Sequence, residues 1–152
     1  MPISSILAPG TEIDMLKIDV EGFEIIALES ALPYFESGKI RSSLVEFGPT
    51  CRWEKMHFKR NATEHARAVL SQLHRYKYDI HVFKNICRWS NDDVLKLHVN
   101  GAPTGEGLFP VQTSSQIECL LAPRPCSSGE IYMFILRRGD SLLSVRKTFK
   151  GI

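Results

Sequence analysis

A short acidic segment holds the residues whose types and spacing best suit chemistry. Lys17, Asp19, Glu21 and Gly22 lie within six residues of one another, and Glu46 follows on the next apolar run. In a strand, Lys17 and Asp19 would share one face and could form a polar pair. Glycine at 22 lets another backbone or a ligand approach closely. Carboxylates that converge in this way suit a general base or a hard divalent cation.

Each of these residues also has a purely structural interpretation. Asp19 could cap the following helix, with Glu21 favouring the positive end of that helix. Glu46 could form a salt bridge with Lys17, because a lysine inside an apolar strand is costly unless it is paired or reaches solvent. Spacing alone leaves the structural and the chemical interpretations open.

The predicted elements give an alternating α/β pattern. Compact apolar runs bounded by turn residues predict strands over residues 13–20, 41–47, 78–83 and 131–136. Helical spacing predicts a helix over 23–32, closed by Pro33, and a second one that begins with the capping-box pattern of Asn61 and Glu64. This order predicts a parallel sheet whose carboxyl edge gathers Asp19, Glu21 and Glu46.

The stretch 84–130 is predicted to be a long irregular insertion, with a short strand at 117–121. Long connections inside a domain commonly carry function. Its glycines, at 101, 105 and 107, do not follow a convincing strand and indicate a surface loop rather than a G-x-G-x-x-G motif.

Two segments resemble a known family. Ile13-Asp-Met-Leu-Lys-Ile-Asp-Val-Glu-Gly-Phe-Glu24 looks like the signature segment of FkbM-type methyltransferases, and Leu44-Val-Glu-Phe-Gly-Pro49 looks like the next family strand. The resemblance is specific over about residues 12–49 and looser to about residue 83.

The resemblance implies a Rossmann-like methyltransferase fold that uses S-adenosylmethionine (SAM). It implies that Asp19 and Glu21 line the reaction cleft next to the methyl donor, with Glu46 across from them. Our hypothesis is that these three carboxylates are catalytic, with Asp19 or Glu21 as the general base, and that Lys17, Asp19 and Gly22 contact the cofactor. The implied reaction is O-methyl transfer to a hydroxyl of a small molecule or sugar. The implied partner is therefore a small-molecule acceptor.

The family's glycine-rich segment that holds SAM lies upstream of the matched strand, and only twelve residues precede Ile13 here. Residues 1–152 are therefore interpreted as a single partial domain: a Rossmann-like sheet that lacks its N-terminal strands, with a matched core at 13–83. SAM binding by this chain alone is expected to be weak. The first strand should expose an apolar edge, so we expect self-association.

Two other functions remain open. The chain could be a methyltransferase-like interaction module without catalysis, which upstream sequence with a glycine-rich loop would argue against. Alternatively, the chain could be an unrelated hydrolase that uses Glu21 and Glu46. The sequence has no G-x-S-x-G nucleophile elbow, which counts against the commonest version of this alternative.

Composition excludes several further classes. The net charge of +2 is too small to indicate binding to nucleic acid, and no apolar run approaches the roughly 20 residues of a membrane helix. No signal peptide is recognised, so the cytoplasm is the default compartment and the cysteines are expected to be reduced. The sequon at Asn61 to Thr63 is then a chance match. Cysteine and histidine spacing assigns no metal site, and Trp53 and Trp89 are interpreted as loop anchors.

Overall fold

The computed structural model describes residues 3–8, 10–56, 61–83, 95–99, 102–124 and 131–140. After a short 3-10 helix at Ile3–Ser5, the elements in chain order are β1 (Ile13–Ile18), α1 (Glu24–Glu36), β2 (Ile40–Phe47), α2 (Thr50–Met56), α3 (Ala62–Arg75), β3 (Tyr78–Val82), β4 (Leu95–Val99), β5 (Ala102–Val111), α4 (Ser114–Leu121) and β6 (Ile131–Arg137). The six strands form one mixed sheet in the order β1-β2-β6-β3-β5-β4, with β1 at one edge.

The first strand–helix–strand unit follows the sequence prediction closely. β1 and β2 pair in parallel, with Ile18 opposite Val45. Helix α1 connects them and buries Ile25 and Leu28 against the sheet. The apolar runs, the turn residues and the helical spacing therefore identified all three elements.

Helix α1 continues past Pro33, so the prediction that this proline closes the helix is wrong. Proline lacks an N–H and cannot donate to the preceding turn. The last turn is held instead by Phe35, which is fully buried and meets the ring of Tyr78 edge-on, with centroids 4.9 Å apart. The Ser37 backbone N–H then donates to the carbonyl of Pro33. Apolar burial outweighs the one missing hydrogen bond.

The predicted parallel sheet is corrected to a mixed one. β6 lies between β2 and β3 and runs antiparallel to both. β5 is antiparallel to β3, and β4 to β5. Antiparallel neighbours need only short connections, whereas each parallel pair needs a crossover such as α1. The alternating pattern therefore predicted β1, β2 and β3 correctly, but it carried no information about where the later strands insert.

The part of 84–130 that the structure describes is largely regular, in contrast to the irregular insertion predicted. It contains β4, β5 and α4. β5 includes Gly105 and Gly107, so these glycines do not lie in a surface loop. The predicted strand at 117–121 is the end of α4. Thr113 and Gln116 form a reciprocal capping box, and Ile117, Leu120 and Leu121 are buried at the helical spacing i, i+3 and i+4.

The core lies mainly between the sheet and its helices. Along β6, Met133 and Ile135 enter this large cluster, whereas Phe134 and Leu136 form a smaller cluster on the opposite face. His81 of β3 is buried opposite Phe134. Burial lowers the pKa of His81, partly offset by the charge of Asp79.

The cysteines correct a further expectation. Cys51 in α2 and Cys119 in α4 are both disulfide-bonded, whereas reduced thiols were predicted. Cys87 and Cys126 lie outside the described residues. Sequence spacing did not suggest this, because no C-x-x-C pair is present and disulfide pairing depends on the fold.

None of the helices that the structure describes is long and apolar enough to cross a membrane.

Candidate functional site

The site is built where β1 and β2 end side by side. Because the two strands are parallel, the residues that follow β1 lie beside the last residues of β2. Asp19 comes directly after β1, and Glu46 is the penultimate residue of β2. The geometry therefore brings the predicted carboxylates to one edge of the sheet.

A tight turn carries Glu21 from the strand to the helix. Glu21 has a φ of 49° and Gly22 a φ of 100°. Gly22 supplies a conformation that side chains rarely adopt, and Glu21 occupies a left-handed region that is costly for a residue with a Cβ. The backbone N–H of Gly22 donates to Oε1 of Glu24 at 2.7 Å. Gly22 thus has a demonstrated structural role, and its contact with a cofactor stays a prediction.

The three predicted carboxylates converge at this edge. One carboxylate oxygen from each of Asp19, Glu21 and Glu46 lies within 4.8 Å of the others, and we call this group the carboxylate cluster. Asp19 and Glu21 are exposed, while Glu46 is half-buried. Oxygens at this spacing could share a divalent cation, although exposed acidic groups commonly gather without one.

In the described part of the chain, Lys17 and Arg52 form ion pairs with the carboxylate cluster. Nζ of Lys17 lies 3.0 Å from Oδ2 of Asp19, which confirms the predicted polar pair. Nη1 of Arg52 lies 3.0 Å from Oε2 of Glu21. The hydrogen bond from Lys17 to Asp19 raises the pKa of Lys17, and the charges of Asp19 and Glu46 add to the rise. Lys17 therefore stays protonated at neutral pH.

The geometry rules out the capping role of Asp19 and identifies the ion-pair partner of Lys17. Asp19 does not cap α1: the helix begins at Glu24, and Phe23 occupies the capping position without a side-chain hydrogen bond. The ammonium group of Lys17 forms an ion pair with Asp19, and the charge of Glu46 helps to raise the pKa of Lys17.

A buried hydrogen-bonded pair behind the turn was missed by sequence reasoning. Glu24 is only 1% exposed, and its Oε2 accepts a hydrogen bond from Nε1 of Trp53 at 2.9 Å. Trp53 is fully buried against Phe47, with ring centroids 4.5 Å apart. Trp53 is thus an anchor, as predicted, although it lies in a helix. The available signal was Glu24 itself, an acidic residue at the start of an apolar helix.

Tyr132 is a second residue that the sequence did not single out. It lies directly opposite Glu46 in the β2–β6 ladder, and 46% of it is exposed. Its carbonyl accepts a hydrogen bond from the backbone N–H of Phe83, a residue that is 36% exposed. One partly exposed aromatic residue, Tyr132, therefore adjoins the carboxylate cluster, and a second, Phe83, lies next to Tyr132. Tyr132 escaped notice because it lies within a run that was predicted to be buried on both faces.

Other predicted contributors fall outside this site or outside the described residues. Trp89 lies in a segment that the structure does not describe. His65 and His74 lie on α3, as predicted. Nε2 of His65 is 3.0 Å from Oε1 of Glu29, and burial lowers the pKa of His74.

Comparison with known proteins relates the chain to a family. A family model described as the methyltransferase FkbM domain matches residues 1–80 of the chain, a stretch that includes β1, β2 and the whole carboxylate cluster. No curated protein and no solved structure matches the chain.

Proposed function

Because this chain belongs to the FkbM methyltransferase family, we propose that it transfers the methyl group of SAM to a hydroxyl of a small molecule or sugar. The observation that carries this proposal is the convergence of Asp19, Glu21 and Glu46 at the carboxyl edge of the sheet. In open α/β sheets, ligands bind beyond the carboxyl ends of the strands.

The charge of the site fits a cationic cofactor. Among the residues that the structure describes, the carboxylate cluster brings three negative charges, and the ion pairs of Lys17 and Arg52 with it bring two positive ones. SAM carries a sulfonium cation, which is attracted by an excess of carboxylate. We assign Lys17, Asp19 and Gly22 to the cofactor side, where Lys17 can also contact the cofactor's own carboxylate. SAM supplies an activated methyl group at this place.

On the acceptor side, the carboxylates handle the proton. A hydroxyl loses its proton as its oxygen becomes methylated, so a carboxylate within hydrogen-bond reach raises the rate by general-base catalysis. We assign this role to Asp19 or Glu21, with Glu46 across from them holding the acceptor hydroxyl. Arg52 orients Glu21 through their ion pair. The exposed rings of Tyr132 and Phe83 offer apolar surface on which a sugar or flat acceptor can stack.

The first test measures cofactor binding separately from turnover. Titration calorimetry with SAM should give heat of binding for the wild-type full-length protein and weaker binding for its Asp19→Asn variant. Methyl transfer is then followed with labelled SAM over a panel of sugars and small hydroxyl compounds. Absence of both binding and transfer from the full-length protein would overturn the proposal.

The β1 edge of the sheet supports a second property, self-association of this chain. Among the strands that the structure describes, β1 ends the sheet. Four large apolar side chains near this edge are exposed: Ile6, Val20, Phe23 and Ile26. Apolar surface beside an open strand edge favours pairing with a second copy.

Sedimentation velocity over a dilution series should show a concentration-dependent dimer. Ile26→Glu should weaken it, and Glu36→Lys, at the far end of α1, should not. A monomer at every concentration would contradict self-association without affecting the proposed methyl transfer.

A further inference from the structure

The disulfide-bonded cysteines indicate where this protein folds. Cys51 lies in the helix that follows the carboxylate cluster, and Cys119 lies in α4. Disulfides form and persist in oxidising compartments and are rare where glutathione and thioredoxin keep thiols reduced. Two helices that carry disulfide-bonded cysteines therefore favour folding in an oxidising compartment, of which the secretory pathway is one.

In that compartment the sequon of Asn61, Ala62 and Thr63 gains a chemical meaning. Asn61 is exposed and immediately precedes α3, with an extended backbone conformation. Its Oδ1 accepts hydrogen bonds from the backbone N–H groups of Thr63 and Glu64, at 3.0 and 3.1 Å. Among the described residues, its Nδ2 makes no hydrogen bond that would have to be broken.

We propose that Asn61 is an N-glycosylation site and that this chain matures in the secretory pathway. The reaction forms a bond between Nδ2 of Asn61 and the anomeric carbon of an oligosaccharide. The bond from that carbon to the lipid diphosphate carrier breaks, the diphosphate leaves with the electron pair, and Nδ2 releases one proton to solvent.

The local geometry tolerates the product. Glycosylation uses Nδ2, whereas the helix cap uses Oδ1, so both can exist on one side chain. The hydroxyl of Thr63, which the sequon requires, takes no part in the cap, because Thr63 contributes only its backbone N–H. The cap and the modification can therefore be separated by substitution. This inference does not depend on the proposed methyl transfer.

The test uses the full-length protein isolated from its natural source. Peptide-N-glycosidase treatment in heavy-oxygen water should convert Asn61 to aspartate carrying the heavy isotope, as read by peptide mass spectrometry. Alkylation before and after reduction should find Cys51 and Cys119 blocked until reduction. Recovery of Asn61 as unmodified asparagine would overturn the proposal, as would free thiols at both cysteines.

A pair of variants guards against misfolding as an explanation. Thr63→Ala, expressed from the full-length gene, removes the sequon and keeps the cap, so the protein should lose the glycan mass and retain its circular dichroism spectrum. Thr63→Ser keeps the sequon and should retain the glycan. Retention of the same mass shift in Thr63→Ala would place the glycan elsewhere and overturn the assignment to Asn61.

Discussion

The two ends of the β1–β2 pair differ in how their acidic and basic side chains are balanced. At the amino end, the carboxylates of Asp14 and Asp140 face the guanidinium groups of Arg41 and Arg137, and we call these four residues the amino-end group. Arg41 lies 3.2 Å from Asp14 and 3.5 Å from Asp140, and Arg137 lies 3.2 Å from Asp140. Two negative charges thus meet two positive ones.

At the carboxyl end, in the part of the chain that the structure describes, three carboxylates face Lys17 and Arg52. Like charges held close together disfavour one another, so such an excess costs stability unless a ligand relieves it. The balanced amino-end group ties β2 to the turn after β6 through the Arg41–Asp140 pair. Arg137, at the end of β6, also donates to the carbonyl of Gly38, just before β2, at 2.7 Å. Comparing the two ends teaches that charge balance marks a structural role, whereas carboxylate excess at a strand end marks a candidate site.

Neutralising the carboxylate cluster gives the largest expected effect. Asp19→Asn and Glu21→Gln together should lower kcat/KM for methyl transfer by about 10²–10⁴-fold, because they remove the assigned general base. The fold should survive, since both side chains are exposed. The matched control is Asp14→Asn in the amino-end group, which should leave kcat/KM unchanged. Retained turnover in the double amide would end the assignment of these carboxylates to catalysis.

Glu24 tests whether the carboxyl end needs its buried support. In Glu24→Gln, an amide NH₂ replaces one of the two accepting carboxylate oxygens. It then faces a second donor, either the N–H of Gly22 or Nε1 of Trp53, with which it cannot form a hydrogen bond. An unsatisfied buried donor should lower the free energy of unfolding by about 1–3 kcal/mol, measured by denaturant titration. Glu36→Gln, on the exposed end of the same helix, is the control. Equal stability of the two variants would show that the buried pair does not hold the turn.

Arg137→Met tests the structural role of the amino-end group. The variant loses the hydrogen bonds to Gly38 and Asp140 and should lower the free energy of unfolding by about 1 kcal/mol. SAM affinity should stay at the wild-type value. A clear change in SAM affinity without loss of stability would break the distinction between the two ends.

Mild acid tests the contribution of His81, in the interior of the sheet rather than at either charged end, and gives the smallest expected effect on stability. Burial holds the folded-state pKa of His81 below its ordinary value of 6.5. The unfolded chain therefore binds the proton first, so the contribution of His81 to stability is complete above pH 6.5 and is lost as the pH falls below it. Thermal unfolding at about pH 7.5 and about pH 5.5 should show a smaller pH dependence in His81→Gln. An unchanged pH dependence in that variant would contradict this account.

The sequence predicted the parts of the fold that depend on local pattern. β1, β2 and the start of α3 follow from apolar runs and from the cap at Asn61. Because β1 and β2 are joined by one helix, their order along the chain also predicted that Asp19 and Glu46 meet.

What the sequence did not predict depends on contacts between distant residues. The insertion of β6 between β2 and β3 places Tyr132 beside Glu46, and no local pattern encodes that pairing. The burial of Glu24 depends on Trp53, 29 residues further along the chain. The oxidation of Cys51 likewise depends on a partner brought near by folding rather than by spacing.

The hydrogen bond between Trp53 and Glu24 also makes an optical reporter of the site. Glu24 holds the indole of Trp53 with one oxygen and the backbone of the turn at Gly22 with the other. A ligand that moves this turn therefore changes the electric field at a buried fluorophore. The chain has only two tryptophans, so Trp89→Phe leaves Trp53 as the sole source of indole emission. Ligand binding at the carboxylate cluster can then be followed by the wavelength of that emission, without a label and without knowledge of the acceptor.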